Sequence, residues 1–137
     1  MTEFTEMISQ EKLEQLNKIS ETIIGAAIEV HKYLGPGLLE SVYEICFVEE
    51  LEQRGLKVQE QVFLPVFYKG LPTKKTFMID LVVEDEVIIE LKSVARMSPV
   101  FENQLMTYLK LTNKPLGLLI NFNVPRLIDG VKRRLNG

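Results

Sequence analysis

The stretch FMIDLVVEDEVIIELK, residues 77–92, constrains this chain more than any other. Two runs rich in β-branched residues flank three consecutive acidic residues, Glu84 to Glu86, and so read as two antiparallel strands joined by a short acidic turn. The ribbon is apolar enough to be buried, yet it carries Asp80, Glu90 and Lys92. Side chains alternate along a strand, so Ile88, Glu90 and Lys92 share one face while Val87, Ile89 and Leu91 share the other. A tight turn centred near Asp85 sets residues whose numbers sum to about 170 opposite each other, which makes Asp80 the partner of Glu90. Facing carboxylates repel unless a cation or a proton relieves them. Oxygen-only ligands point to Mg²⁺ or Mn²⁺, and Mg²⁺ is satisfied by one or two carboxylates plus waters and phosphate oxygens. Lys92 is then available to orient a water or to stabilise charge on a phosphate, which is the arrangement of a phosphodiesterase site.

A plainer alternative makes the same residues the solvent face of the hairpin, with Glu90 and Lys92 an exposed ion pair worth under about 1 kcal/mol. Against it, other polar groups can converge on the ribbon. Glu40 lies on a helix after Gly37, and Gln104 and Tyr108, four residues apart, share a face of a helix after Pro99.

The remaining segments supply a frame for the hairpin. Leu13, Leu16, Ile19, Ile23, Ala27, Val30 and Leu34 recur at helical spacing, and GPG at 35–37 ends that helix. LLESVYEICFVEELEQRG predicts a second helix directing Leu39, Val42, Tyr43, Cys46, Phe47 and Leu51 to a core and stopping at Gly55. LKVQEQVFLPVFYKG alternates around Val58 and continues as an apolar run broken by Pro65, giving the first strand of a meander. SPVFENQLMTYLKLTNK predicts a helix with Ser98 as N-cap and Pro99 at its first position. PLGLLINF is a strand buried on both faces, and a last short helix is expected from Pro125 to Leu135. The expected order is α, α, β, β, β, α, β, α, an α/β (α+β) fold with a mixed sheet.

Length and composition bound the function. The 137 residues, 46% hydrophobic and 26% charged, suit one domain over 1–137 with loose residues at 1–10. The start has no secretory pattern and no apolar run reaches the ~18 residues of a membrane span, so a cytoplasmic protein with no membrane partner is expected. Net charge −3 and pI near 5.3 argue against coating nucleic acid through bulk positive charge, although local basic groups can still bind phosphates. Lys69, Lys74 and Lys75 around a turn, and Lys132 to Arg134, are such groups, although clusters of this kind ordinarily form solvated surface. The single Cys46 reads as a small hydrophobe, and the single His31 as a partner of its helix C-terminus. Tyr43 reads as a core residue with a wet hydroxyl. GPG lacks the Lys-Ser/Thr of a phosphate loop and serves as the turn that positions Glu40.

GLLESVYE holds Gly-x-x-Glu-x-x-Tyr at Gly37, Glu40 and Tyr43. Together with IDLVVEDEVIIELKSV, SPVFENQLMTYLKL and GLLINF, in that order, it resembles the GxxExxY proteins of the PD-(D/E)XK nuclease superfamily over residues 20–123. The resemblance implies a restriction-endonuclease-like αβββαβ core with an added N-terminal helix, and a Mg²⁺- or Mn²⁺-dependent nuclease acting on nucleic acid, DNA in the first instance. It implies Asp80, Glu90 and Glu40 as metal ligands, Lys92 as the catalytic lysine, Gln104 as a supporting glutamine, and Tyr108 backing the site. It leaves room for a homodimer. Where the family commonly has an arginine two residues before the aspartate and a histidine in the helix before Gln104, this chain has Met78 and Phe101. A non-catalytic nucleic-acid-binding or repair-associated module on the same fold, or an interaction protein with a structural acidic hairpin, are the alternatives.

Overall fold

A computed structural model describes residues 8–137. Residues 1–7 of the segment expected to be loose lie outside the described residues; Ser9 is ordered as the N-cap of the first helix, its side chain accepting from the Lys12 N–H. That helix, α1, runs Gln10–Leu34 and buries Leu16, Ile23, Ala27 and Val30 of the predicted stripe. Gly35, at φ 74, takes it into the GPG turn. Helix α2, Glu40–Gln53, buries Tyr43, Phe47, Val48 and Leu51. Leu39 and Val42, expected in the core, are exposed, and Cys46 is half-buried against the core. The stripe is narrower than predicted because Leu39 stands outside the first helical turn as its N-cap.

The five-stranded sheet has the order β1-β2-β3-β4-β5, with β1 Val58–Tyr68, β2 Leu71–Val83, β3 Val87–Lys92, β4 Leu116–Asn121 and β5 Val131–Leu135. The first three form the predicted antiparallel meander, and Pro65 falls at a register shift of the edge strand β1, where a missing N–H is tolerated. The acidic turn is of the mirror-image hairpin type, Glu84 and Asp85 both having positive φ, 53° and 60°. Helix α3, Pro99–Thr112, begins at the predicted Ser98 cap and crosses over to β4, which lies parallel to β3. All of β4 is buried, as its unbroken apolar run predicts.

Helices α1 and α2 cover one face of the sheet, onto which Leu81, Val83, Val87, Ile89 and Leu91 project. Helix α3 covers the other, where Val82, Ile88, Leu105, Tyr108 and Leu119 pack. This is the α+β architecture expected from the element order, and it is consistent with the restriction-endonuclease-like fold that the resemblance implies. One element differs. The predicted final helix is a single turn, Leu127–Gly130, followed by β5, which pairs antiparallel with β4 from Ile120↔Val131 to Leu116↔Leu135. The otherwise unpaired edge of β4 offers those residues a ladder, and tertiary pairing outweighs helix propensity. Gly130 makes the approach possible, because a Cβ there would stand 2.2 Å from the Asn121 carbonyl oxygen. No helix among the described residues is long and apolar enough to cross a membrane.

Candidate active site

The β2–β3 ladder has the predicted register, Val83↔Val87, Val82↔Ile88 and Leu81↔Ile89, and stops one pair short of the two acids. There the carboxylates take over from the backbone. Glu90 accepts the Asp80 N–H at 2.9 Å, and Asp80 accepts the Leu91 N–H at 2.8 Å. Asp80 and Glu90 are therefore held together as expected, through reciprocal side chain to backbone bonds and not as a ladder pair. Charge-assisted bonds of this kind satisfy buried amides and fix each carboxylate, while leaving lone pairs on its oxygens for another ligand.

The ladder on the other flank of Asp80 is also interrupted. β1 and β2 pair at Glu60↔Leu81 and Val62↔Ile79 but not between them, and Gln61, opposite Asp80, has φ 49. A glutamine in the left-handed region inside a strand is strained by about 1–3 kcal/mol and persists only where its surroundings require it. Its amide donates to Glu44 of α2 at 2.9 Å and also hydrogen-bonds Asp80. Gln61 and Glu44 were not legible in the sequence as site residues; the alternation of β1 offers no sign of the kink that turns Gln61 toward Asp80.

Burial and mutual repulsion shape the electrostatics. Glu90 is 4% exposed, and burial, reinforced by the Asp80 charge, pushes its carboxyl up to about 8. Burial also raises Asp80, opposed by the Leu91 N–H, Lys92 and Gln61. Glu40 is raised by burial and by Asp80 while Lys92 and the Ser93 N–H oppose the shift. Glu44 is raised by burial, against the Gln61 bond. The Tyr108 hydroxyl is pushed up to about 12 by burial and by the charges of Glu90 and Asp80. These couplings place Glu40, Asp80, Glu90, Lys92 and Tyr108 in one neighbourhood. Without a cation, burial and mutual repulsion favour the protonated form of the pair made by Asp80 and Glu90.

Each element delivers its residue by a local device. Glu40 opens α2, and the hydroxyl of Tyr43, three residues on, donates to Gly35 O at 2.5 Å and accepts from the Leu38 N–H at 3.1 Å. The Tyr43 ring is fully buried and stacked on Phe122 at 4.6 Å. Its hydroxyl is thus tied to the turn before Glu40, which gives the Gly37, Glu40, Tyr43 spacing a physical reason. Ser93 clasps the same turn by donating to Leu38 O at 2.6 Å. Lys92 is the last residue of β3; its ammonium lies over the Phe101 ring at 4.3 Å, so this aromatic positions the lysine. The chain beyond is pinned by buried Asn121, which accepts from Val94 and Asn123 and donates to Val94 O. Gln104 sits half-buried on α3 between Phe101 and Tyr108, at the i+3 and i−4 positions that share their face. Met78 is exposed. His31 stands in the last turn of α1, as expected, and also donates to Val124 O at 2.8 Å, tying α1 to the loop after β4.

Among the described residues no three His, Cys, Asp or Glu side chains form a ready-made metal cage. Two fixed carboxylates with raised proton affinity remain, and these suit an octahedral ion that keeps most of its waters. A divalent cation would displace the shared proton and relieve the repulsion.

The sequence model of the PD-(D/E)XK nuclease superfamily matches residues 17–134. No curated protein matches the chain. Among solved structures, the crystal structure of SSO0001 is similar over 99% of this chain and 78% of that one, at 15% identity and a TM-score of 0.49.

Proposed function

The chain belongs to the PD-(D/E)XK nuclease superfamily, and from that premise we propose that it is a Mg²⁺- or Mn²⁺-dependent nuclease hydrolysing phosphodiester bonds in nucleic acid, with DNA as the polymer. The observation that carries this reading is the reciprocal anchoring of Asp80 and Glu90 on a buried hairpin, with Lys92 two residues further on. Folding otherwise avoids burying two like charges side by side, and a cation gives the pair a use. Asp80 and Glu90 would hold the ion, which would supply charge neutralisation at the attacked phosphate.

This chain's own groups do the rest. Lys92, held over Phe101 and attracted by the carboxylates, presents a preorganised positive charge to a non-bridging phosphate oxygen. Glu40, whose raised pKa makes it a better base than a free carboxylate, accepts the proton of an attacking water from the end of α2. Gln104 contributes an amide between Phe101 and Tyr108 to orient that water or the phosphate. The finer placement among GxxExxY proteins rests on Gly37, Glu40 and Tyr43, and is supported by the bonds from Tyr43 to the turn. Purified protein incubated with single- and double-stranded DNA and RNA, with Mn²⁺, Mg²⁺ or chelator, tests the proposal. Metal-dependent cleavage abolished by Asp80→Asn is expected. Binding without cleavage under every metal condition would replace it with a non-catalytic module.

A further inference from the structure

The β1–β2 hairpin extends from Val58↔Val83 out to Tyr68↔Leu71 and turns at Lys69 and Gly70, both with positive φ. From Gln61 to Ile79 its sequence, QVFLPVFYKGLPTKKTFMI, contains no Asp or Glu and three lysines, in a chain of net charge −3. The ribbon is a local concentration of positive charge on an acidic protein. It is also aromatic: Phe63 and Tyr68 are 69% and 66% exposed, and Phe67 is exposed beside them. Cations and rings are interleaved in space. Lys69 lies 5.4 Å over the Tyr68 ring, and Lys75 lies 4.8 Å over Phe77.

The α3-facing side of this arm leads to the carboxylates. Phe77 meets Tyr108 edge-on at 5.3 Å, and the Tyr108 hydroxyl feels the charges of Glu90 and Asp80. Lys75, Phe77 and Tyr108 therefore form a row running from the arm to the site. The five-residue step from Lys75 to Asp80 spans about 17 Å of strand.

An exposed aromatic hairpin on an edge strand invites aggregation unless a partner covers it. Among the described residues these lysines form no ion pair, so the charge favours an anionic partner, and flat rings beside ammonium groups match bases and phosphates presented together. We propose that the β1–β2 arm binds a single-stranded segment of nucleic acid and leads it to Asp80 and Glu90. A duplex hides its base faces and would engage only the lysines, so the exposed rings favour an unpaired strand. The inference rests on the nuclease reading for the identity of the polymer.

Fluorescence anisotropy in chelator separates the two, since no cleavage can then occur. The probes are labelled oligothymidylate and a labelled duplex of equal length, titrated with native protein, with Phe67→Ala/Tyr68→Ala and with Lys69→Gln/Lys74→Gln/Lys75→Gln. All five positions are exposed, and melting curves establish that the variants fold. The aromatic variant should lose about 10-fold or more in affinity for the single strand and little for the duplex, as expected for lost base stacking. The lysine variant should flatten the slope of log affinity against log salt by about 2, three phosphate contacts at roughly 0.7 each. Native affinity in both variants overturns the arm, as does equal loss for the duplex, or loss of self-association in sedimentation with oligonucleotide affinity unchanged. Arm-dependent binding by a native protein that never cleaves with Mn²⁺ would keep the arm and remove the nuclease reading; cleavage by a protein whose variants bind normally would do the reverse.

Discussion

Replacing Glu90 by Gln isolates the charge at the centre of the site. An amide can still accept the Asp80 N–H that Glu90 accepts at 2.9 Å, so the perturbation is mainly electrostatic. In the native protein, burial and Asp80 raise the Glu90 carboxyl from 4.5 to about 8. Between those values the folded chain keeps a proton that the unfolded chain has released. Stability is therefore fully present below about 4.5 and is lost as pH rises toward about 8. One proton gives a slope of at most about 1.4 kcal/mol per pH unit. From about pH 6 to about pH 7.5 that amounts to a loss of at most about 2 kcal/mol, less to the extent that Asp80 shares the proton. For a chain of this size each kcal/mol moves the melting temperature by roughly 3–5 °C, so a fall of up to about 6–10 °C is expected in chelator. Asp80 and Glu40 are raised too and act with the same sign. Glu90→Gln should flatten much of this slope. Millimolar Mg²⁺ or Mn²⁺ should raise the native melting temperature increasingly as pH rises, because the ion replaces the proton, and should do little for the variant. Calorimetric melts across this range decide the matter. A native melting temperature that does not fall with pH in chelator, or a variant with the native slope and the native metal response, would refute the argument that a buried, proton-holding carboxylate pair forms the site.

Two further substitutions probe the groups around that pair. Lys92→Ala should retain the fold and the metal-induced melting shift while lowering cleavage roughly 100-fold or more, the scale of one preorganised electrostatic group; native-rate cleavage after a second purification would take Lys92 out of the mechanism. Gln61→Ala removes a donor that lowers the pKa of both Asp80 and Glu44, so those carboxyls should rise further and metal-induced stabilisation should need a higher pH than in the native chain. An unchanged pH profile of the metal response, measured in the same melts, would leave Gln61 a purely structural kink.

Much of the site was legible because it depends on short-range periodicity. Alternation in β3 determines that Glu90 and Lys92 share a face, and the turn at 84–86 determines the register that brings Asp80 to Glu90, as the Leu81↔Ile89 pair bears out. The helix stops at Gly35, the Ser98 cap and the doubly buried β4 follow from equally local rules. What escaped those rules is non-local. Whether residues 131–135 coil or extend depends on a vacant edge of β4 and on a backbone approach that only Gly130 permits. The reversal of Gln61 depends on Glu44 and Asp80, 17 and 19 positions away in the chain, and no propensity of glutamine encodes a positive φ. Phe101, which no local pattern marks as a site residue, became the platform of Lys92 only when α3 packed across β3. The chain's local pattern thus determined which acids would face each other. Only the folded arrangement decided how deeply they are buried, and burial is what raises their affinity for a proton that a cation could replace.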